Sequence, residues 1–307
     1  MQHFTDAMVD GLLDAASAQA ALTDALRSFG QGRAAMQPRI RTQAGGVKLS
    51  TLGAVLPDQG YAGAKVYTTI EGQFNFVILL FSATEGQVLA SFDAAAITRL
   101  RTAACSVIAS RYLARADSRR LALFGLGVQG REHAIQLAAA YPLQEIRVCD
   151  PFAGDKAVQE LERACGVTVR RCAAAEAVDG ADLIVTASRS RTPLFGGQQL
   201  ADGAFIAAIG SSLPDTRELD DATLARASLM AVDWKLQTTS EAGDIVLADP
   251  VALPESKIVE LADLVTGRAQ GRRTADEVTI YKAVGVGLQD VALAGLAWER
   301  RQPTDQP

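Results

Sequence analysis

The chain opens with hydrophobic positions that recur at a helical spacing. Within residues 8–29, Leu22, Leu26 and Phe29 lie at i, i+4 and i+7, and Gly30 follows them directly. Side chains at this spacing share one face of a helix, and glycine commonly ends a helix because it tolerates the left-handed conformation. The pattern predicts one amphipathic helix over this segment.

Between residues 39 and 93 the hydrophobic runs become short and strand-like. Turn sequences such as Gly45-Gly46 and Glu85-Gly86 separate them, and no helix-length segment lies between the runs. Short turns can join antiparallel strands, whereas parallel strands need a long crossover. We therefore expect an antiparallel sheet here, followed by a helix over the alanine-rich residues 94–114.

The middle of the chain alternates strand-like and helix-like segments. The strand-like runs lie at residues 121–125, 145–149, 167–171, 182–187, 203–209 and 229–233. This alternation predicts a doubly wound parallel sheet, in which ligands bind beyond the carboxyl ends of the strands. Two loops are therefore expected on the cofactor or substrate side: Thr186, Ala187 and Ser188 in one, and Ile209 to Ser212 in the other. For Ser212, turn formation or helix capping explains the residue equally well.

The end of the chain predicts a closing helix. Within residues 276–301, Val284, Leu288 and Val291 lie on one helical face, and a polar tail follows at 302–307. A helix of this length can return to the first part of the chain and make that domain discontinuous.

The length of 307 residues exceeds one typical core, so we expect two domains. The predicted fold class is α/β. A Rossmann domain with a doubly wound parallel sheet is expected over residues 116–283, and a smaller α+β domain over residues 1–115 together with 284–307.

The strongest chemical signal is a glycine loop after the first strand of the alternating region. The sequence LALFGLGVQG carries Gly125, Gly127 and Gly130. In a dinucleotide site these glycines permit, in that order, the tight turn, the approach of the pyrophosphate and close packing of the helix on the strand. Amides near Val128 and Gln129, at the positive end of the helix, would bind the pyrophosphate.

An acidic residue completes the cofactor prediction. Asp150 ends the next apolar run, twenty positions after Gly130. A carboxylate there accepts hydrogen bonds from the ribose hydroxyls and repels a 2′-phosphate, and the residues that follow, Pro151 and Phe152, supply no arginine to bind one. The sequence therefore favours NAD(H), with NADP(H) as the alternative.

Composition narrows the class of partner. The net charge of −5, from 30 basic and 35 acidic residues, gives no electrostatic footprint for nucleic acid or an anionic membrane, so a small molecule is the expected partner. The two histidines and four cysteines form no metal or disulfide motif, and catalysis by histidine is not expected. Without an export signal or a long apolar run, the sequence predicts a cytoplasmic protein.

Several motifs taken together resemble the ornithine cyclodeaminase/mu-crystallin family. The resemblance covers about residues 39–299, and its motifs are Lys65 after Gly-Ala, ITRLRTAA at 97–104, GLGVQ at 125–129, GSSLPDTREL at 210–219, EAGD at 241–244 and VGVGLQD at 284–290. It implies a first domain that binds substrate and dimerises, a Rossmann domain that binds the dinucleotide, and a homodimer acting on small α-imino or α-amino acids.

The same resemblance implies a cationic clamp on the substrate. Arg39, Lys65 and Arg101 would bind its carboxylate, with Lys65 also near the reacting nitrogen, and Val284 would belong to the substrate site. Chemistry supports the clamp, because fixed cations must orient an anionic substrate and guanidinium binds carboxylate in a two-pronged fork. Surface ion pairs are the alternative role for the arginines, and Arg41 is the alternative to Arg39.

One departure from the family pattern bears on the reaction. Cyclodeaminases usually carry an acid where this chain has Ser212, and GSSLPDTREL is closer to the mu-crystallin side, whose members resemble ketimine reductases. We therefore expect reduction of a cyclic imino acid such as pyrroline- or piperideine-2-carboxylate, or the reverse amino-acid dehydrogenation. Catalysis would fall to Lys65, Arg101 and Ser212, with an ordered water as the alternative to the serine in the proton path.

Two other functions remain as alternatives. The first is an ornithine-type cyclodeaminase that uses bound NAD, and the second is a nonenzymatic protein that binds a dinucleotide or a small ligand. Phe74 stands near a position where relatives often carry a polar residue, and together with Phe76 it suits a cyclic or alkyl substrate side chain.

Overall fold

The computed structural model describes residues 1–301, so the expected polar tail at 302–307 lies outside the described residues. The chain forms two compact units. The first consists of residues 1–104 and the chain from Gly285 onward, and the second of residues 105–284.

The elements are numbered in chain order within the described residues. The strands are β1 (Gln2–Phe4), β2 (Ala35–Met36), β3 (Ile40–Ala44), β4 (Val47–Leu56), β5 (Tyr61–Ile70), β6 (Gln73–Ser82), β7 (Val88–Asp93), β8 (Arg120–Phe124), β9 (Glu145–Cys149), β10 (Thr168–Arg171), β11 (Leu183–Thr186), β12 (Phe205–Ala208), β13 (Ala227–Val232), β14 (Ile258–Glu260) and β15 (Val278–Lys282). The helices are α1 (Asp6–Leu12), α2 (Ala15–Gly30), α3 (Ala95–Leu113), α4 (Val128–Ala140), α5 (Asp155–Cys165), α6 (Ala174–Val178), α7 (Asp221–Arg226), α8 (Lys235–Glu241), α9 (Gly243–Val246), α10 (Leu261–Val265) and α11 (Gly287–Glu299). Short 3₁₀ turns lie at Pro57–Gln59, Gly197–Gln199 and Glu255–Lys257.

The division between the units differs from the expected boundary at residue 115. It falls inside α3 because the second half of that helix bonds within the second unit, where the Ser106 hydroxyl and His133 Nε2 lie 2.9 Å apart. Val284 also belongs to the second unit, since its amide donates to Asp233 Oδ2 at 2.9 Å.

The sheet of the first unit has the order β1-β7-β6-β5-β4-β2, with β3 also paired to β4. All pairs are antiparallel, as predicted, except the unpredicted β1, which runs parallel to β7. Lys65 on β5 stands opposite Leu52 and Ile78, so these side chains share one face. Helix α11 packs on this face, where Val291 contacts Gly63 closely.

The opening segment forms two helices, so the prediction of one helix over residues 8–29 is wrong. Helix α1 ends before Leu13, and Asp14 caps α2 by accepting the Ser17 amide at 2.8 Å. The Ser17 hydroxyl accepts the Asp14 amide in return, and the two bonds together form a capping box. A residue that caps one helix cannot also lie inside another, because a cap requires extended backbone.

The sheet of the second unit is parallel throughout and has the order β10-β9-β8-β11-β12-β15-β13-β14. The chain winds outward from β8 through β9 to β10 and then continues from β11 on the other side of β8. This reversal makes the gap between β8 and β11 the topological switch point, where doubly wound folds bind their ligands. The α/β fold class with a Rossmann sheet and a smaller α+β unit is confirmed.

The predicted closing helix is shorter than expected. Residues 276–301 contain strand β15, which is buried throughout and lies between β12 and β13, and the helix begins only at Gly287. The run Val278-Thr-Ile-Tyr-Lys282 is mostly β-branched or aromatic, a composition that favours a strand buried on both faces. Gly285, with a φ of 78°, separates the two elements.

Candidate active site

The glycine loop of the second unit has the close packing that its sequence predicts. Gly125 has a φ of 95°, and a Cβ there would lie 2.7 Å from the carbonyl oxygen of Ala187. A Cβ at Gly130 would lie 1.9 Å from the carbonyl oxygen of Gly125. Neither position can carry a side chain, because real Cβ atoms do not approach other atoms this closely.

Helix α4 begins directly after this loop without a side-chain cap. Its N-cap residue is Gly127, which has no side chain to accept the first amides, and Val128 is 67% exposed. The first amides of a helix have no partner within the helix, and the helix dipole makes this end positive. The start of α4 therefore suits an anion such as a pyrophosphate.

Asp150 lies against the glycine loop. Its Oδ2 accepts the Leu126 amide at 2.6 Å, and its Oδ1 accepts the Phe152 amide at 2.8 Å. These two bonds fix a carboxylate at the carboxyl end of β9, beside β8 and its loop. The carboxylate, the uncapped helix and the glycine loop fit a dinucleotide, and the predicted role of Asp150 is to accept its ribose hydroxyls.

The loops after β11 and β12 meet at a buried glutamate, Glu218. Its Oε2 accepts the Thr186 hydroxyl at 2.9 Å and the amides of Gly210 at 2.8 Å and Ser211 at 3.1 Å. Its Oε1 accepts the amide of Ser188 at 2.8 Å and its hydroxyl at 2.6 Å. Ile209 belongs to the same arrangement, because its amide donates to the Thr186 carbonyl. The structure thus brings both predicted loops together.

A buried ion pair supports the segment that carries Glu218. Asp244 Oδ1 accepts the amides of Glu218 at 2.7 Å and Leu219 at 2.9 Å, while its Oδ2 lies 2.8 Å from Lys282 Nζ. Both charged side chains are fully buried. Sequence reasoning assigned no role to these three charged residues. The available signal was a lysine that ends a buried strand, since lysine is rarely buried without a partner.

In the first unit, Lys65 is buried at the centre of a charged cluster. Its Nζ donates to the Thr98 hydroxyl at 2.5 Å and to Asp290 Oδ1 at 3.3 Å. The same atom lies 4.5 Å from the centre of the Phe76 ring, within the range of a cation–π contact. Thr98 lies on α3 and Asp290 on α11, so two helices and the sheet together position this amine.

Both predicted arginines belong to the same unit. Arg101 Nη1 donates to Gln289 Oε1 at 2.9 Å, and its Nε lies 3.6 Å from Asp290 Oδ1. Arg39 Nη2 donates to the Gly285 carbonyl at 2.7 Å. Gly285 also packs on Arg101, since a Cβ there would lie 2.7 Å from the guanidinium. The segment before α11 therefore contacts both arginines.

Three cationic side chains lie close together in this cluster. Lys65 and Arg101 are buried and Arg39 is half-buried, and the Asp290 carboxylate contacts both Lys65 and Arg101. Burial lowers the pKa of Lys65 to about 8, Asp290 opposes this shift, and Arg101 and Arg39 add to it. Cations that converge in this way suit a ligand that carries a carboxylate.

The structure also adds a residue and locates two others. Asp290 was quoted within a family motif but given no role, although it is an acid in the first turn of a mostly apolar helix. Ser212 is partly buried in the loop of the second unit, and Val284 is buried at the end of that unit. The catalytic role of Ser212 and the substrate contact of Val284 stay predictions.

Residues 1–301 show no sign of metal binding or of a membrane-spanning helix. No group of three or more His, Cys, Asp and Glu side chains there could hold a metal ion. None of the helices in that range is long and apolar enough to cross a membrane. His133 is buried, and its two ring nitrogens lie within hydrogen-bond distance of the Ser106 hydroxyl and the Gln129 carbonyl.

Known proteins resemble the chain over nearly its full length. Residues 1–304 match the model of the ornithine cyclodeaminase/mu-crystallin family. A probable ornithine cyclodeaminase from Bordetella pertussis Tohama I is 57% identical with a TM-score of 0.96, over 98% of this chain and 96% of that one. Thermococcus litoralis Delta(1)-pyrroline-2-carboxylate reductase, solved with NADH and L-proline, is 26% identical with a TM-score of 0.92, over 98% and 97%. Ketimine reductase mu-crystallin from Mus musculus is 30% identical over 294 residues, which cover 91% of this chain and 90% of its own.

The lowered pKa of Lys65 predicts how stability changes with pH. Between pH 8 and 10.5 the unfolded chain keeps a proton on this amine that the folded chain has lost, so the free energy of unfolding rises with pH. Over this range the wild type should gain up to about 3 kcal/mol more than Lys65→Met. Urea unfolding of both proteins at several pH values measures the difference. Parallel curves would show that the amine titrates at its ordinary pKa.

Proposed function

Because the chain belongs to the ornithine cyclodeaminase/mu-crystallin family, we propose that it is an NAD(H)-dependent reductase of small α-imino acids, able to run in reverse as an amino-acid dehydrogenase. The observation that carries the proposal is the convergence of three cations, the buried Lys65 and Arg101 and the half-buried Arg39, of which Lys65 and Arg101 share the carboxylate of Asp290. Such a cluster selects a small anion and places an amine with a lowered pKa beside it.

The second unit is the proposed cofactor site. Gly125 and Gly127 would admit the pyrophosphate to the amides of Val128 and Gln129, and Asp150 would accept the ribose hydroxyls. The loop residues Thr186, Ala187, Ser188 and Ile209 would complete the site. The related Thermococcus litoralis reductase was solved with NADH, which supports the same cofactor here.

The first unit is the proposed substrate site. Arg39 and Arg101 would bind the carboxylate of the imino acid, and Lys65 would donate a further hydrogen bond to it. Val284 remains a predicted contact of the substrate. Since Arg39 and Arg101 both contact Gly285, their guanidinium groups have fixed positions before the substrate binds, which lowers the entropic cost of orienting it.

Reduction of an imine adds a hydride to carbon and a proton to nitrogen. NADH supplies the hydride when it is bound. Lys65 would supply the proton, because a pKa of about 8 leaves the amine mostly protonated at neutral pH and still able to release its proton. Asp290 would stabilise the charged amine between turnovers, and Ser212 or a water molecule would return the proton from solvent.

Aromatic side chains beside Lys65 favour a substrate with an apolar side chain. The Phe76 ring stacks on Phe74 at 5.6 Å and lies 5.0 Å from Tyr67. A ring-shaped imine such as pyrroline- or piperideine-2-carboxylate would bury apolar surface against Phe76, whereas an imine of pyruvate would bury less. The terminal ammonium of ornithine would be repelled by the positive cluster.

Ornithine cyclodeamination is the second candidate function. The 57% identity to the Bordetella pertussis protein favours it. Against it stands Ser212, which occupies the place where cyclodeaminases usually carry an acid for proton transfer. The two reactions differ in their balance, since cyclodeamination releases ammonia without net consumption of NADH.

A homodimer is part of the proposal. The face of the first sheet opposite Lys65 exposes large apolar side chains, among them Leu49, Val55, Ile70 and Val88, with 43–46% of each accessible. Apolar patches of this kind on one sheet face are typical of interaction surfaces. A second copy of the chain is the occupant that the family resemblance implies.

The reaction is tested by supplying the pure protein with NADH and one imine at a time. We expect loss of NADH absorbance with pyrroline- or piperideine-2-carboxylate, and slower loss with pyruvate plus ammonia or methylamine. Lys65→Met should lose at least about 100-fold in kcat/KM because it removes the proton donor, while Lys156→Met, at an exposed site on α5, should keep it.

The outcomes of this assay separate the candidates. Ammonia release from ornithine with NAD, and no oxidation of NADH by any imine, would establish the cyclodeaminase. Binding of NADH without turnover of either kind would favour a binding protein, and full activity of a folded Lys65→Met variant would rule out the proposed proton donor.

Cofactor selectivity is tested at Asp150. Asp150→Ser should raise the activity with NADPH relative to NADH at least about tenfold, because it removes the carboxylate that repels a 2′-phosphate. Asp155→Ser, whose side chain is 80% exposed on α5, is the matched control and should leave the ratio unchanged. Steady-state rates with both cofactors give the ratio, and an unchanged value for Asp150→Ser would remove the basis for preferring NAD(H).

The homodimer is tested by sedimentation velocity. The wild type should sediment as a dimer, and Val55→Arg should shift it to the monomer because a charge cannot be buried in the apolar interface without a partner. Val251→Arg, at a side chain that is 87% exposed in the second unit, should remain dimeric. A dimer that survives Val55→Arg would place the interface elsewhere.

A further inference from the structure

The carboxylate of Glu218 is bonded in an unusual way for a buried charge. It is fully buried and accepts five hydrogen bonds, three from backbone amides and two from hydroxyl groups. A buried carboxylate without enough donors is strongly unfavourable, and this one receives them from two separate loops. Because both loops bond to the same carboxylate, neither loop can move without breaking its hydrogen bonds to Glu218.

The donors come from the two loops expected on the cofactor side. Thr186 and Ser188 follow β11, and Gly210 and Ser211 follow β12. A Cβ at Gly210 would lie 2.4 Å from Glu218 Oε1, so the glycine is required for the carboxylate to fit. Glu218, Gly210 and the hydrogen-bond donors therefore depend on one another for their positions.

This arrangement reaches the glycine loop directly. Ala187 lies between the two donors Thr186 and Ser188, and its carbonyl oxygen is the atom that approaches Gly125. Its amide also donates to the Phe124 carbonyl at 2.8 Å. A shift of the first loop would thus move the wall of the turn that receives the pyrophosphate.

We propose that Glu218 is a positioning residue for the dinucleotide site, one that sets the distance between the loops after β11 and β12 and the glycine loop. This inference rests on the proposed function, because it assigns those loops to NAD(H) binding. Asp244 holds the backbone of Glu218 through two amides and is itself paired with Lys282, so the glutamate has a fixed base. Glu218 acts through Thr186, Ser188, Gly210 and Ser211 and need not touch the cofactor.

The test replaces one carboxylate oxygen with an amide group. In Glu218→Gln, an NH₂ group replaces one acceptor oxygen and cannot accept the backbone amides bonded to that oxygen, so at least one of the three amide hydrogen bonds is lost. We expect NADH affinity, measured by fluorescence titration of the folded protein, to fall at least tenfold. Hydrogen exchange should become faster at the amides of Ser188, Gly210 and Ser211, without NADH present.

Asp182→Asn is the matched control at the opposite end of β11. This carboxylate accepts the amides of Arg119 at 2.8 Å and Arg120 at 2.9 Å and pairs with Arg115, so it also joins chain segments of the second unit. Its loss should lower the melting temperature as much as the loss of Glu218 does. It should change NADH affinity by less than twofold, because it lies at the amino ends of the strands.

Three results would overturn the proposal. The first is wild-type NADH affinity in Glu218→Gln although amide exchange in the loops becomes faster. The second is an equal loss of affinity in Glu218→Gln and Asp182→Asn. If Glu218→Gln does not fold, Thr186→Val removes a single donor and should weaken NADH binding about threefold, and unchanged affinity in that variant is the third. Failure of the wild type itself to bind NADH would instead reject the proposed function.

Discussion

The first unit depends on one buried carboxylate. Asp290 contacts both Lys65 and Arg101, and without it these two buried cations would lose the carboxylate that they share. Removing two charges from water without a counter-charge costs several kcal/mol each, which is a large part of the stability of an ordinary domain. The ion pairs that stabilise this unit therefore also fix the positions of the cations that the proposed substrate would meet.

The second unit holds a buried anion in a different way. The carboxylate of Glu218 is stabilised by the dipoles of three amides and two hydroxyl groups. Dipoles that converge on a charge from several chain segments constrain geometry more tightly than one ion pair does, because each bond has its own direction. The start of α4 uses the same physics with the same sign, since its first amides have no side-chain cap and favour an anion.

Periodicity and motif spacing predicted much of this architecture. The parallel and antiparallel sheets and the glycine loop could be read from local sequence, because their signals lie within a few residues of each other. The arginines and lysine of the cluster were predicted only through the family resemblance. The break between the first two helices at Asp14 and the strand β15 could not be read from local sequence. Asp14 competes with the helical pattern through a cap, and residues 278–282 become a strand only because two strands distant in sequence flank them. Asp290 and Glu218 were missed for a related reason, because their roles depend on residues distant in sequence. The partners of Asp290, Arg101 and Lys65, lie 189 and 225 residues away, and those of Glu218 lie 7 to 32 residues away, which no local pattern encodes.

The segment from Lys282 to Asp290 carries anchors at close intervals: a lysine paired with Asp244, a valine bonded to Asp233, a glycine that contacts two arginines, and the aspartate of the cluster. The first two anchors hold residues 282–284 within the second unit, and the last two hold residues 285–290 within the first. An insertion or deletion of one residue inside either stretch would pull an anchor from its partner. The hairpin tip at Glu71-Gly72, which is exposed, can change in length at little cost. Length variation among homologous chains should therefore be common at that tip and rare in this segment, even where the side chains themselves differ.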